Sequence, residues 1–144
     1  MIEGIFDGGA MPALERLAQF TTQRHSVLTD NIANLSTPYF KPRDLDPQSF
    51  QSEMRNAIDR RRQTNTPVAG PLDLTDTVQL RFRPHGIDAS PEPTHENILF
   101  HDQNNRDLDR TMQKLAENTL AHNVAIEMLR NQFSMLEVAI RERV

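Results

Sequence analysis

Asn31, Asn34, Arg43, Asp44 and Asp46 are the residues whose types and spacing invite a specific chemistry, and that chemistry is recognition by hydrogen bonds and charge. They sit in the run Asn31-Ile32-Ala33-Asn34-Leu35-Ser36-Thr37-Pro38-Tyr39-Phe40-Lys41-Pro42-Arg43-Asp44-Leu45-Asp46. Two asparagines three apart share one helix face, just before a Thr-Pro break, an aromatic pair and a tight run of charges. An asparagine amide at a helix end can bond the backbone of a neighbouring strand or helix, where alanine could not. It can equally serve as a simple C-cap and turn. The residues alone leave these two readings even.

Bond-breaking chemistry has no comparable support. The chain lacks a Gly-rich phosphate loop, a nucleophile elbow and a histidine pair at ligand spacing. His25, His85, His95, His101 and His122 are scattered, and His122 reads as a polar residue that fixes helix register. The run from Asp102 to Asp107 resembles a calcium loop only superficially. Arg106 stands at its fifth position, Asp107 where glycine is required, and Gln113 where the last carboxylate belongs. Arg60-Arg61-Arg62 reads as a solvated helix end favoured by the helix dipole. No cofactor or metal is expected. A formal net charge of -4 argues against nucleic acid, and zero cysteines exclude disulfides.

Proline and glycine then show which elements must position these residues. Eight of the 9 prolines lie between Pro38 and Pro93, and residues 13–37 and 94–144 contain neither Pro nor Gly. Both ends are therefore free to form long helices. From Leu108 an apolar seam runs at spacings of four and three: Leu108, Met112, Leu115, Thr119, His122, Ile126, Leu129, Phe133, Leu136, Ile140. Such a heptad stripe packs on another helix. The N-terminal seam reads Leu14, Leu17, Thr21, Arg24, Leu28, Asn31, Leu35, and its three polar positions predict a weaker contact. Asn105 or Asp107 is the expected cap of the C-terminal helix. Between the helices, Gln48–Arg62 suits a short amphipathic helix and Gln79–Arg83 a short strand, while Thr64–Pro71 and Pro84–Pro93 read as loop. The expected fold is all-α: a long antiparallel two-helix coiled-coil hairpin, 1–36 and 105–144, with a proline-rich excursion over 37–104. A hydrophobic share of 37% and a mean hydropathy of -0.61 leave much surface wet or covered only by partners. The first fifteen residues show no Sec-type signal, and no apolar stretch approaches the roughly 20 residues of a membrane span.

The motif Val27-Leu28-x-x-Asn31-Ile32-Ala33-Asn34-x-x-Thr37-Pro38 resembles the N-terminal signature of flagellar axial rod and hook proteins. Arg43-Asp44-Leu45-Asp46 is similar, more narrowly, to the proximal rod protein of the FlgB type. A second stretch near the other end, Asp102-x-Asn104-x-x-Asp107-Leu108-Asp109-x-x-Met112-x-x-Leu115-Ala116-Glu117-Asn118, is similar to that family's C-terminal signature. The family has glycine where Tyr39 and Gln103 stand, so an altered backbone is expected at both turns.

The resemblance implies a structural, non-enzymatic subunit of the basal-body rod. It implies an assembly motif over Asn31, Ile32, Ala33, Asn34, Thr37, Pro38, Phe40, Lys41, Arg43, Asp44 and Asp46. The partners it implies are further copies, other rod proteins and components on the membrane-ring and export-gate side, reached by flagellar type III export into the periplasmic rod. Both asparagine amides are then expected to bridge neighbouring chains and to matter little to the monomer. The rival reading is a cytosolic coiled-coil adaptor or export chaperone.

Overall fold

A computed structural model describes residues 8–65, 69–94 and 107–141. Asp102, Gln103 and Asn104, and with them the second expected turn, lie outside the described residues. Helix α1 (Met11–Ala33) takes Pro12 in its first turn, where a missing N–H goes unused. Strand β1 (Arg43–Asp44) leads directly into helix α2 (Pro47–Arg62). A hairpin follows, β2 (Leu80–Arg83) and β3 (Gly86–Ala89), then β4 (Glu92–Pro93) and the long helix α3 (Leu108–Arg141). At 1.5 Å per residue α3 is about 50 Å long and α1 about 35 Å.

The two long helices pack side by side and run antiparallel. Thr21 meets Asn118 and His122, while Leu28 and Asn31 share a crevice with Asp107, Arg110 and Thr111. Asp107 caps α3, its carboxylate accepting from the Arg110 amide at 3.0 Å. Continuing that register, α3 runs on past the first residue of α1.

The all-α expectation is corrected by two small antiparallel sheets, β1–β4 and β2–β3. Arg43 pairs with Pro93 and Asp44 with Glu92, and Leu80 to Arg83 pair with Ala89 to Gly86. The strand expected at Gln79–Arg83 is present as β2, whereas Pro84–Pro93, read as loop, contains β3 and β4. Prolines caused that misreading. Pro84 occupies the two-residue turn before Gly86, a position it suits, and Pro93 lies in an edge strand, where it is tolerated.

The middle of the chain supplies most of the core. Leu45, Phe50, Met54, Leu80 and Ile87 bury against Phe20 of α1, flanked by Leu17, Leu72, Leu74 and Phe82. Phe20 and Phe50 stack with centroids 4.2 Å apart and planes 3° from parallel. The arginine run is likewise more than a solvated end. Arg60 reaches Glu53 at 2.7 Å and the Asp73 carbonyl at 2.6 Å, and Arg61 donates to the Gly9 carbonyl at 2.6 Å. Arg60 ties the loop after α2 back onto that helix, and Arg61 ties α2 to the residues just before α1.

Tyr39 is the one non-glycine residue with positive φ among the described residues, at 61°. The turn therefore has the left-handed backbone that glycine favours.

Phe50→Ala removes one face of the stack and opens a cavity in the only large apolar cluster described. A stability loss of about 3–5 kcal/mol is expected in denaturant titration. A loss below about 1 kcal/mol would show that the cluster does not hold the fold.

Candidate functional site

The site is built where the C-terminal half of α1, strand β1 and the first turns of α3 converge. Asn31 is buried, and its amide brackets the backbone of Arg43. Its Nδ2 donates to the Arg43 carbonyl at 2.6 Å, and its Oδ1 accepts the Arg43 N–H at 3.0 Å. The side chain thus stands in for a neighbouring strand on the edge of β1 that faces α1, while β4 pairs along the rest. Asn34 behaves differently. Its amide donates to the Asp30 carbonyl of its own helix at 2.9 Å, and Thr37 folds back onto the Asn34 carbonyl. Of the two readings left even by the residues, Asn31 follows the strand-bonding one and Asn34 the cap.

The next residue along β1 carries the charge. Asp44 receives a two-pronged bond from Arg24 of α1, Nε to Oδ1 at 2.9 Å and Nη2 to Oδ2 at 3.0 Å. Lys114 of α3 approaches Oδ2 at 3.1 Å, and the Leu45 amide donates to Oδ1 at 2.8 Å. The Arg24 and Asp44 side chains are only 8% and 15% exposed. Burial pushes the Asp44 carboxyl up. The bonds and charges of Arg24, and then of Lys114, outweigh it and hold the group below the usual carboxylate range. Leu45 turns the other way, into the core. Asp46 caps α2 by accepting from the Gln48 and Ser49 amides at 2.9 and 3.2 Å. Arg43, Asp44, Leu45 and Asp46 therefore perform four separate tasks: strand edge, ion pair, core and cap.

One layer further along the helix pair, Asn118 donates to the Thr21 carbonyl at 2.8 Å in a buried position. The Thr21 hydroxyl donates back to its own helix at Leu17 and lies 2.9 Å from His122 Nδ1. The three polar residues of the N-terminal seam, expected to weaken it, are each buried and each bonded.

Leu28 is fully buried; Leu14, Leu17, Leu35, Leu115, Ile126, Leu129 and Leu136 are half-buried. Leu108, Met112, Phe133 and Ile140 are more exposed, at 42–60%. The fully buried positions of α3 are instead Asn118 and Ala125, one residue before Thr119 and Ile126. Helix α3 is thus turned so that one row of the predicted seam lies on the flank of the contact. Ile32 and Phe40 are half-buried, whereas Ala33, Thr37, Pro38 and Lys41 face outward.

Sequence reasoning missed Arg24 and Lys114 as functional residues. Arg24 did give a signal: a cation on an apolar seam, with no acid three or four residues away, requires a carboxylate from elsewhere in the chain.

Asp44→Asn leaves the buried Arg24 and the half-buried Lys114 beside a neutral amide, and a loss of about 3–5 kcal/mol is expected. Because the folded-state pKa is depressed, the stabilisation exists above the ordinary carboxylate range and disappears as pH falls through the folded value. Unfolding titrations should show wild-type stability declining below about pH 4, with a shallower decline in Asp44→Asn. Parallel curves would rule out the ion pair as the cause. Asn31→Ala should cost about 1–3 kcal/mol for each Arg43 group left unbonded, with Asn34→Ala costing less.

No family model matches the chain. Curated relatives do. It is 33% identical over 116 residues to "Flagellar basal body rod protein FlgB" of Escherichia coli K12, covering 76% of this chain and 77% of the relative. The proteins of the same name from Yersinia enterocolitica and Bacillus subtilis are 28% identical over 131 residues and 26% identical over 132. Those alignments cover 86% and 92% of this chain, and 88% and 93% of the relatives. The chain belongs to the FlgB family of flagellar basal body rod proteins.

Proposed function

We propose that this chain is a non-enzymatic subunit that polymerises through its two long helices to form the proximal part of the rod and transmits torque there. The single observation that carries the reading is the apolar surface of α3. Leu120, Val124, Met128, Met135 and Val138 are 43–67% exposed. At about 100° per residue they fall on one side of the helix, turned away from Asn118 and Ala125, which meet α1. Leu108, Met112 and Ile140 add exposed apolar area on a flank. A helix that is apolar on several sides is stable in water only when several sides are covered. One α1 covers one side.

In this reading residues 1–36 and 105–144 form the axial wall, and 37–104 form a buttress that sets the angle between the helices. Neighbours are further copies, other rod proteins and components on the membrane-ring and export-gate side. Export through the flagellar type III channel, without a cleaved signal, places the subunit in the periplasmic rod. Dense packing between neighbouring helices resists shear and so passes rotation along the polymer. An adaptor or chaperone would mask one partner helix and would not need apolar surface on opposite sides of α3.

Met128→Asp tests the reading, because residue 128 is exposed and the change leaves the intrachain core untouched. The purified monomer should melt within a few degrees of wild type, while basal bodies from cells carrying the variant should lack rods and the cells should not swim. Normal rods with Met128→Asp would falsify this use of α3.

A further inference from the structure

Tyr39 combines three properties that do not arise together without a reason. Its φ of 61° is one that a large side chain adopts only against steric resistance. The residue is 77% exposed, so little intrachain packing offsets that resistance. Its hydroxyl has no hydrogen-bond partner among the described residues. Glycine would hold the same turn without strain. The turn itself is well determined, with Thr37 bonded to Asn34 and the Phe40 amide to the Thr37 carbonyl. The side chain thus stands out into solvent at the end of the helix pair, on a hydrogen-bonded turn.

We propose that Tyr39 is an intermolecular anchor that packs on the outer stripe of α3 in a second copy of this chain. The inference rests on the polymer reading given above and names one contact within it. The chemistry on the two sides matches. Tyr39 is flanked by the exposed cations Lys41 and Arg43. The stripe offers Met128 and Met135, whose thioethers pack well against aromatic rings, and its border carries the exposed carboxylate Glu117. The two features lie on different parts of one subunit, and in a polymer the contact is heterologous. Repeated from copy to copy it propagates instead of closing as a two-fold dimer. Tyrosine suits this task because it supplies a large contact area with few rotatable bonds.

The absence of cysteine from the chain makes the test direct. Cells co-producing a Tyr39→Cys copy and a Met128→Cys copy should yield a disulfide-linked pair on mild oxidation of isolated basal bodies. The same Tyr39→Cys copy paired with Gln23→Cys, on the exposed side of α1, should not. Independently, Tyr39→Gly should melt at or above the wild-type temperature as a monomer, yet lower rod yield at least tenfold, with Tyr39→Phe restoring most of it. Cross-linking no stronger than in the Gln23→Cys control, or wild-type rod yield with Tyr39→Gly, overturns the anchor. If Met128→Asp still abolishes rods in that case, only the anchor fails and the polymer reading stands. If both Met128→Asp and Tyr39→Gly form normal rods, both fail.

Discussion

One buried carboxylate organises this molecule. Asp44 draws Arg24 from α1 and Lys114 from α3 onto the same side chain, across sequence separations of 20 and 70 residues. A lone buried cation is strongly disfavoured, so once Arg24 lies on the inner face of α1 the chain must bring an acid to it. That requirement places β1 against the helix pair, and Asn31 then fixes β1 in register by bonding both backbone groups of Arg43. With β1 set, Leu45 has one direction left, into the core, and Asp46 falls where α2 must begin. The position of the aromatic stack follows from that geometry.

The helix pair is specified by polar groups more than by apolar bulk. Its most buried positions include Thr21, Asn118 and the small Ala125, beside Leu28. Alanine lets the backbones approach closely, and the bond from Asn118 to the Thr21 carbonyl can form in only one register and one relative direction. A purely apolar heptad seam would permit slippage by a turn, or a parallel arrangement, at little cost. Each buried polar atom instead makes the alternatives expensive, because sliding would leave it unbonded.

Those features explain what could be read from the residues and what could not. The long helices were legible because periodicity and the absence of Pro and Gly are local signals. The two sheets were not, since prolines at Pro84 and Pro93 resemble breakers unless the pairing strands are already known. The seam of α3 was found, and His122 on it does meet Thr21, yet its fully buried positions are Asn118 and Ala125, polar or small residues that an apolar pattern passes over in favour of Thr119 and Ile126. The ion pair was the least legible of all. Arg24, Asp44 and Lys114 look unremarkable in their local contexts, and only the fold brings them within 3.1 Å.

Tight specification at one end of the helix pair and bare apolar surface along the rest of α3 complement each other. The buried ion pair, the Asn31 bracket and the aromatic core complete a unit from α1, the middle segment and the first half of α3. Beyond Leu129, the α3 residues Met135, Val138 and Ile140 are all more than half exposed. A helix in that condition gains most of its remaining stability from whatever covers it. On the proposed reading, folding and assembly are partly separated: the polar network sets the subunit's shape, and neighbouring chains stabilise the second half of α3. On the same reading, a single apolar stripe gives only weak pairwise contact, and several neighbours together bury the helix. Weak pairwise contacts added over several faces are what allow a polymer to grow at its end without nucleating elsewhere.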